Sequence, residues 1–278
     1  MNRILTISLV ALMLSVLVSC HDEPRYDKTL RTVLIYAVAS NNLDTYLESD
    51  IREMVAAAPS IKGLSQRSRV LLYSVSSRSA SEATLAELLP GADGKWKFST
   101  LRTYDRNTFS TDPERMGRVF ADLRDVAPAD AYGLVLWSHA TGWIPDFLTH
   151  QTPSSAPMKS FGWDSYQGMT DKCDLLELAD AIPDRMFDYI WFDCCYMMGI
   201  EVAYQLRGKC DFIAGYPTED WSPGMNYDTT LPLLAAPQPD LKGAAKAFFD
   251  YYDDMDMAVT VSPVSYTHLR AHETLSDL

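Results

Sequence analysis

The chain is short of basic charge: 24 Lys and Arg stand against 37 Asp and Glu, a formal net charge of −13 over 278 residues. No basic cluster offsets that field, so a polyanion is repelled, which argues against nucleic acid as a partner. Cysteine is sparse, 5 in all, with neither the C-x-x-C of a thiol oxidoreductase nor zinc-ligand spacing. G-x-S-x-G is absent, which removes the nucleophile elbow of serine hydrolases. So is D-x-[DN]-x-[DN]-G, and with it an EF-hand calcium loop. No internal repeat or low-complexity tract occurs, which excludes repeat architectures. The apolar run Ile4 to Val18 falls short of the roughly 20 residues that span a bilayer.

What is present is an ordinary globular composition, 47% hydrophobic and 22% charged, enough for one large core. At the start, Arg3 and the apolar run form a targeting segment that ends on Leu17-Val18-Ser19-Cys20. These residues resemble the lipobox of bacterial lipoproteins, which implies cleavage before Cys20 and a diacylglyceryl group on its sulfur. Residues 1–19 then read as signal peptide and 20–31 as a tether. The protein is expected lipid-anchored in the bacterial cell envelope, at the outer membrane or cell surface. Residues 263–278 resemble a tail found at broken ends of assembled DNA, and the expectation is that they are non-native. The i, i+4 pair His268 and His272 is therefore not read as a metal site, and the folded domain is placed at 32–262, incomplete at its C-terminus.

Between these ends strands and helices alternate. Arg31 to Val38 reads as a strand, and polar Ser40-Asn41-Asn42 as a turn able to cap the next element. Leu43, Leu47, Ile51 and Met54 recur at helical spacing up to Pro59. Arg69 to Val75 is a second strand, and Pro90 to Gly94 a hairpin turn. Pro113 opens a helix with Met116, Val119, Phe120 and Leu123 on one face. A strand Gly133 to Trp137 precedes a long loop from Ile144 to Met169. Then come helix Leu175 to Ile182, strand Tyr189 to Phe192, helix Met198 to Leu206, strand Asp211 to Tyr216 and helix Lys242 to Tyr252. The alternation predicts an α/β fold, a three-layer α/β/α sandwich around a mainly parallel sheet.

Two strands stop on reactive residues. Tyr189 to Phe192 is apolar and ends on Asp193-Cys194-Cys195, while the Gly133 strand ends on Ser138-His139-Ala140-Thr141-Gly142. Carboxyl ends of parallel strands deliver side chains to a crevice, so His139 and a cysteine can meet there. A cysteine nucleophile needs a nearby base, because a thiol with pKa near 8.5 is mostly protonated at neutral pH. His139 precedes Cys195 by an interval close to the roughly 50 residues of caspases. Each alone has a plainer reading: a structural histidine, and a cysteine serving as a small core hydrophobe. Strand alternation puts Asp193 and Cys195 on one face and Cys194 on the other. Adjacent Cys194 and Cys195 would form a strained ring, so free thiols are expected.

The runs Thr32 to Tyr36, Asn42-Leu43, Leu136 to Trp143, Ser160 to Asp164, Phe192 to Met197, Glu201 to Tyr204 and Glu219 to Gly224 together resemble the clostripain-like cysteine peptidases, caspase-fold enzymes of bacteria. That resemblance implies a caspase-like fold and peptide or protein substrates. It places the family's Asp-x-Cys-x-Met pattern on Asp193, Cys195 and Met197, making Cys195 the nucleophile, and the catalytic histidine on His139. The glycine that usually follows this histidine is Ala140, whose N–H would serve the oxyanion. If the position needs φ > 0, alanine would be strained there. An inactive relative acting as an envelope binding lipoprotein is the alternative. The resemblance also implies self-cleavage between histidine and cysteine, with Lys159 the candidate site. Some relatives depend on calcium; no cofactor is otherwise indicated, and the oligomeric state is open. Asp193, with Glu219 and Asp220 beyond the next strand, would form an acidic pocket that a substrate arginine, then lysine, completes.

Overall fold

Arg31–Ala39 is buried along its whole length and forms β1, an interior strand of an eight-stranded sheet. The structure, a computed structural model, describes residues 29–78, 82–143 and 159–267. The signal segment and Cys20 lie outside the described residues, as do His268 and His272. Sheet order is β10-β9-β8-β5-β1-β2-β3-β4, with β2 Ser68–Ser76, β3 Glu82–Pro90, β4 Trp96–Asp105, β5 Ala131–Trp137, β8 Phe187–Asp193, β9 Cys210–Gly215 and β10 Ser262–Ser265. The run β9-β8-β5-β1-β2 is parallel. Antiparallel β3 and β4 close one edge and β10 the other. The mainly parallel α/β reading holds, and the turn at 91–94 joins two long strands.

Strand alternation divides the core into two layers. Val33, Ile35, Ala37, Tyr189 and Trp191 face one side; there they pack with α1 (Asp44–Ala57), α5 (Tyr227–Leu234) and α6 (Leu241–Asp253). Leu34, Tyr36, Val38, Ile190 and Phe192 face the other, against α2 (Pro113–Val126), α3 (Leu175–Ala181) and α4 (Ile200–Gln205). This is the covering on both faces that near-continuous apolar strands demand. Local chemistry sets the helix starts. Asp112 accepts the N–H groups of Glu114 and Arg115 ahead of Pro113, and Asp174 forms a capping box with Glu177. Among the described residues no helix is long and apolar enough to cross a membrane.

Three segments differ from the sequence expectation. The stretch read as a loop to Met169 contains β6 (Ser160–Tyr166), which pairs with β7 (Met169–Asp174) in a separate two-stranded hairpin. Its sequence SFGWDSY alternates only at Phe161 and Trp163, too short a run to announce a strand. Helix α5 was hidden by Pro232 inside it. Helix α4 begins only at Ile200, because residues 195–198 form a turn and Gly199 takes an extended N-cap conformation.

A buried ion pair secures the hairpin to the sheet. Arg106 Nη2 lies 2.7 Å from Asp164 Oδ1, with side chains 2% and 0% exposed. Asp164 Oδ2 accepts the Ser110 N–H at 2.7 Å. Arg106 also donates to Ser40 Oγ at 3.0 Å and stands 4.5 Å from the Tyr166 ring centroid. One guanidinium thus joins the ends of β1, β4 and β6. Removing one partner leaves an unpaired buried charge. Asp164→Ala should therefore lose about 3–5 kcal/mol in urea unfolding. The double change Arg106→Met with Asp164→Leu should lose distinctly less; equal losses would mean that packing, not charge, holds the hairpin.

Candidate active site

The last paired residues of β5 and β8 are Trp137 and Asp193, opposite one another. Both chains therefore leave the sheet at the same level, and His139 and Cys195 enter one cleft of about 180 Å³ with Leu43, Asp193, Asp220 and Trp221 on its walls.

The histidine loop is tied down on several sides. Ser138 Oγ donates to the Val38 carbonyl at 2.7 Å and accepts the Trp163 N–H at 3.2 Å. The His139 carbonyl accepts the Gly162 N–H at 2.9 Å. The imidazole Nε2 is 2.7 Å from Asn42 Oδ1, and the ring lies 5.4 Å from Trp163, centroid to centroid. Ala140 is buried and bridges Phe161, but it has no positive φ. The left-handed residue is Gly142, at φ +56, where a Cβ would come 2.0 Å from the Tyr196 carbonyl oxygen. Alanine at 140 is thus free of the strain that φ > 0 would impose. The Ala140 bridge is closed by the N–H groups of Thr141 and Gly162, leaving that of Ala140 out of it.

Across the cleft, Tyr196 takes φ +62, a costly value for a non-glycine residue, in the turn just after Cys195. Its N–H donates to the Thr218 carbonyl at 2.9 Å, which anchors the turn to the segment after β9. Cys195 is half-buried; its Sγ accepts the Asp220 N–H at 3.4 Å and approaches the Asp220 carbonyl at 3.9 Å. Burial pushes the Cys195 thiol up to about 11; the Asp220 N–H opposes this, and the charges of Asp220 and Glu219 add to it. Cys194 points into the opposite core layer with 2% exposure. Cys173, Cys194, Cys195 and Cys210 are all free thiols.

The cleft floor is acidic. Asp193, 4% exposed, accepts the Tyr227 hydroxyl at 2.8 Å and the Met225 N–H at 3.0 Å. Burial pushes its carboxyl up to about 6 against these bonds. Burial, and next the neighbouring Asp193 charge, hold Asp220 well above the usual carboxylate range. Its Oδ1 is buried without a hydrogen-bond partner. Glu219 is exposed at the cleft rim. The sequence reading missed Asp50, a buried carboxyl on α1 that accepts Trp137 Nε1 at 2.8 Å and is pushed up to about 9 by burial, then by Asp193 and Glu53. A signal existed: Asp50 occupies the buried stripe Leu47, Asp50, Met54 and Ala57.

Lys159 stands outside the cleft lining, its Nζ 3.3 Å from the Trp143 ring centroid. The peptide bond after it is bonded at both ends: the Lys159 carbonyl accepts the Leu175 N–H at 2.9 Å, and the Ser160 N–H donates to Thr141 Oγ1 at 3.0 Å. Cleavage there requires this edge to open first. Among the described residues, no group of three or more His, Cys, Asp or Glu is arranged to hold a metal ion.

The sequence profile of the Clostripain family matches residues 35–274. Clostripain of Hathewaya histolytica is 26% identical over 229 residues, covering 74% of this chain and 42% of that protein. The chain thus spans less than half the length of this relative. Among solved structures, a secreted C11 cysteine protease from Bacteroides thetaiotaomicron in complex with an irreversible peptide inhibitor superposes with a TM-score of 0.74 at 28% identity, covering 87% of this chain and 68% of that one. An inactive zymogen C11 protease from Parabacteroides distasonis gives 0.73 at 32% identity, covering 88% and 64%.

Exposure separates the four thiols among the described residues. In the native protein, iodoacetamide followed by peptide mapping should modify Cys195 first, with Cys173, Cys194 and Cys210 reacting only on unfolding. Modification of Cys194 at a comparable rate would contradict the strand-face assignment.

Proposed function

The chain belongs to the clostripain family, and we propose that it is a cysteine endopeptidase cleaving after arginine, and less readily after lysine, through His139 and Cys195. The observation that carries this reading is one cleft lined by a histidine, a half-buried thiol and two buried carboxyls, one with an unpartnered oxygen. In the reaction, His139 takes the Cys195 proton as sulfur attacks the scissile carbonyl. The Ala140 N–H, left out of its own bridge, is offered to the oxyanion. Protonated His139 then hands its proton to the leaving amine, and water, activated by the neutral imidazole, hydrolyses the thioester.

Asp193 and Asp220 supply the specificity. Two buried carboxyls side by side are costly to ionise together, and a guanidinium entering between them removes that cost. Its planar fork can bond both, while a lysine ammonium makes point contacts, and an aspartate is repelled. Glu219 adds charge at the entrance. Self-cleavage after Lys159 and lipid anchoring at Cys20, which would hold the enzyme in the cell envelope, belong to the same proposal. A catalytically inactive binding lipoprotein is the second reading; it is favoured by the Cys195 thiol, raised and held against the Asp220 backbone.

On a fluorogenic panel differing only at the residue before the scissile bond, cleavage should follow Arg, then Lys, with essentially none after Asp. Cys195→Ala should abolish it, Cys194→Ala should leave most of it, and Asp193→Ala should erase the basic preference. Apolar or acidic preference would overturn the pocket.

The acids also set a pH dependence. Arginine binds the ionised pair, and burial raises both carboxyls above the usual carboxylate range, Asp220 further by the Asp193 charge beside it. KM for an arginyl substrate should therefore rise as pH falls and the pair takes up protons; a KM that does not change on acidification would remove Asp193 and Asp220 from the pocket.

A further inference from the structure

The proposed dyad leaves one contact of its histidine unused. We infer that Asn42 is a positioning residue for His139: its side-chain carbonyl accepts the Nε2 proton and holds the ring in the tautomer whose Nδ1 lone pair receives the Cys195 proton. The Nε2 to Oδ1 distance is 2.7 Å. An amide oxygen can only accept, so in this bond the proton resides on Nε2, and a neutral imidazole protonated there has its basic lone pair on Nδ1.

The surroundings of Asn42 keep that carbonyl in place although its own side chain is exposed. Asn41 Oδ1 accepts the Leu43 N–H at 2.8 Å, an Asx turn that sets the backbone on both sides of Asn42. Asn41 Nδ2 donates to the Trp163 carbonyl at 2.7 Å and to the Val38 carbonyl at 3.2 Å. Trp163 in turn lies against the His139 ring. The turn leaving β1 is thus bonded to the strand that backs the imidazole, and the hydrogen bond to Nε2 closes this circuit. A base held by a third group in this way loses less orientation at the moment of proton transfer.

The inference rests on the peptidase reading for its kinetics, so the test carries a readout that needs no turnover. In the full chain bearing Cys195→Ala, proton–nitrogen correlation spectra of His139 should show the neutral ring protonated at Nε2. Adding Asn42→Ala should mix the tautomers. With Cys195 present, Asn42→Ala should lower kcat on the order of tenfold or more, with KM within about twofold. Asn42→Asp keeps an acceptor and should recover part of kcat. Its added charge stabilises the imidazolium and should move the acid limb of kcat/KM to higher pH. A neutral ring protonated at Nδ1 while Asn42 is present would overturn the inference, even where the alanine variant does not fold. So would an Asn42→Ala loss carried by KM, or an Asn42→Asp acid limb that does not move. An inactive protein with the Nε2 tautomer would instead count against the peptidase reading alone.

Discussion

The site depends on the parallel pairing of β5 with β8, which sets Trp137 opposite Asp193. Parallel neighbours end at the same edge, so whatever follows them shares one crevice. A one-residue slip in either strand would turn its side chains to the other face. Cys194 would then replace Cys195 in the cleft, and Asp193 would be forced into apolar core. Register here is chemistry, and it is enforced by two core layers that tolerate only one assignment of Ile190, Trp191 and Phe192.

The electrostatics of the cleft follow from its burial. Asp50, Asp193 and Asp220 are withdrawn from water, and each has its carboxyl raised by that burial first. The same burial, with the acidic charge beside it, keeps the Cys195 thiol protonated. Asp220 spans both effects, because its backbone touches the sulfur while its carboxyl belongs to the floor. A cation brought by the proposed substrate would relieve the acids and would also remove negative potential from the thiol.

Most of the frame was legible in the residues. β1, β5 and β8 are apolar runs too short for helices, and the helix at Pro113 carries its own cap and stripe. His139, Asp193 and Cys195 could be read because they interrupt strands abruptly. The β6–β7 hairpin could not be, since Ser160–Tyr166 buries one large apolar side chain, Phe161, and is otherwise held by backbone bonds to the His139 loop and by the buried Arg106–Asp164 pair. Asn42 looked like turn chemistry and Asp50 like one polar residue on a helix. Their partners, His139 and Trp137, are distant in sequence, and only the fold brings them together.

Whether Cys195 is a nucleophile served by His139 and aimed by an acidic pocket can be read from a pair of peptidyl chloromethyl ketones differing only in a terminal Arg or Asp, with tandem mass spectrometry of the modified chain. The expected result is a single adduct on Cys195 Sγ from the arginyl reagent, far slower labelling by the aspartyl one, and loss of labelling in His139→Ala. Equal labelling by both reagents, or an adduct on Cys194, would contradict it.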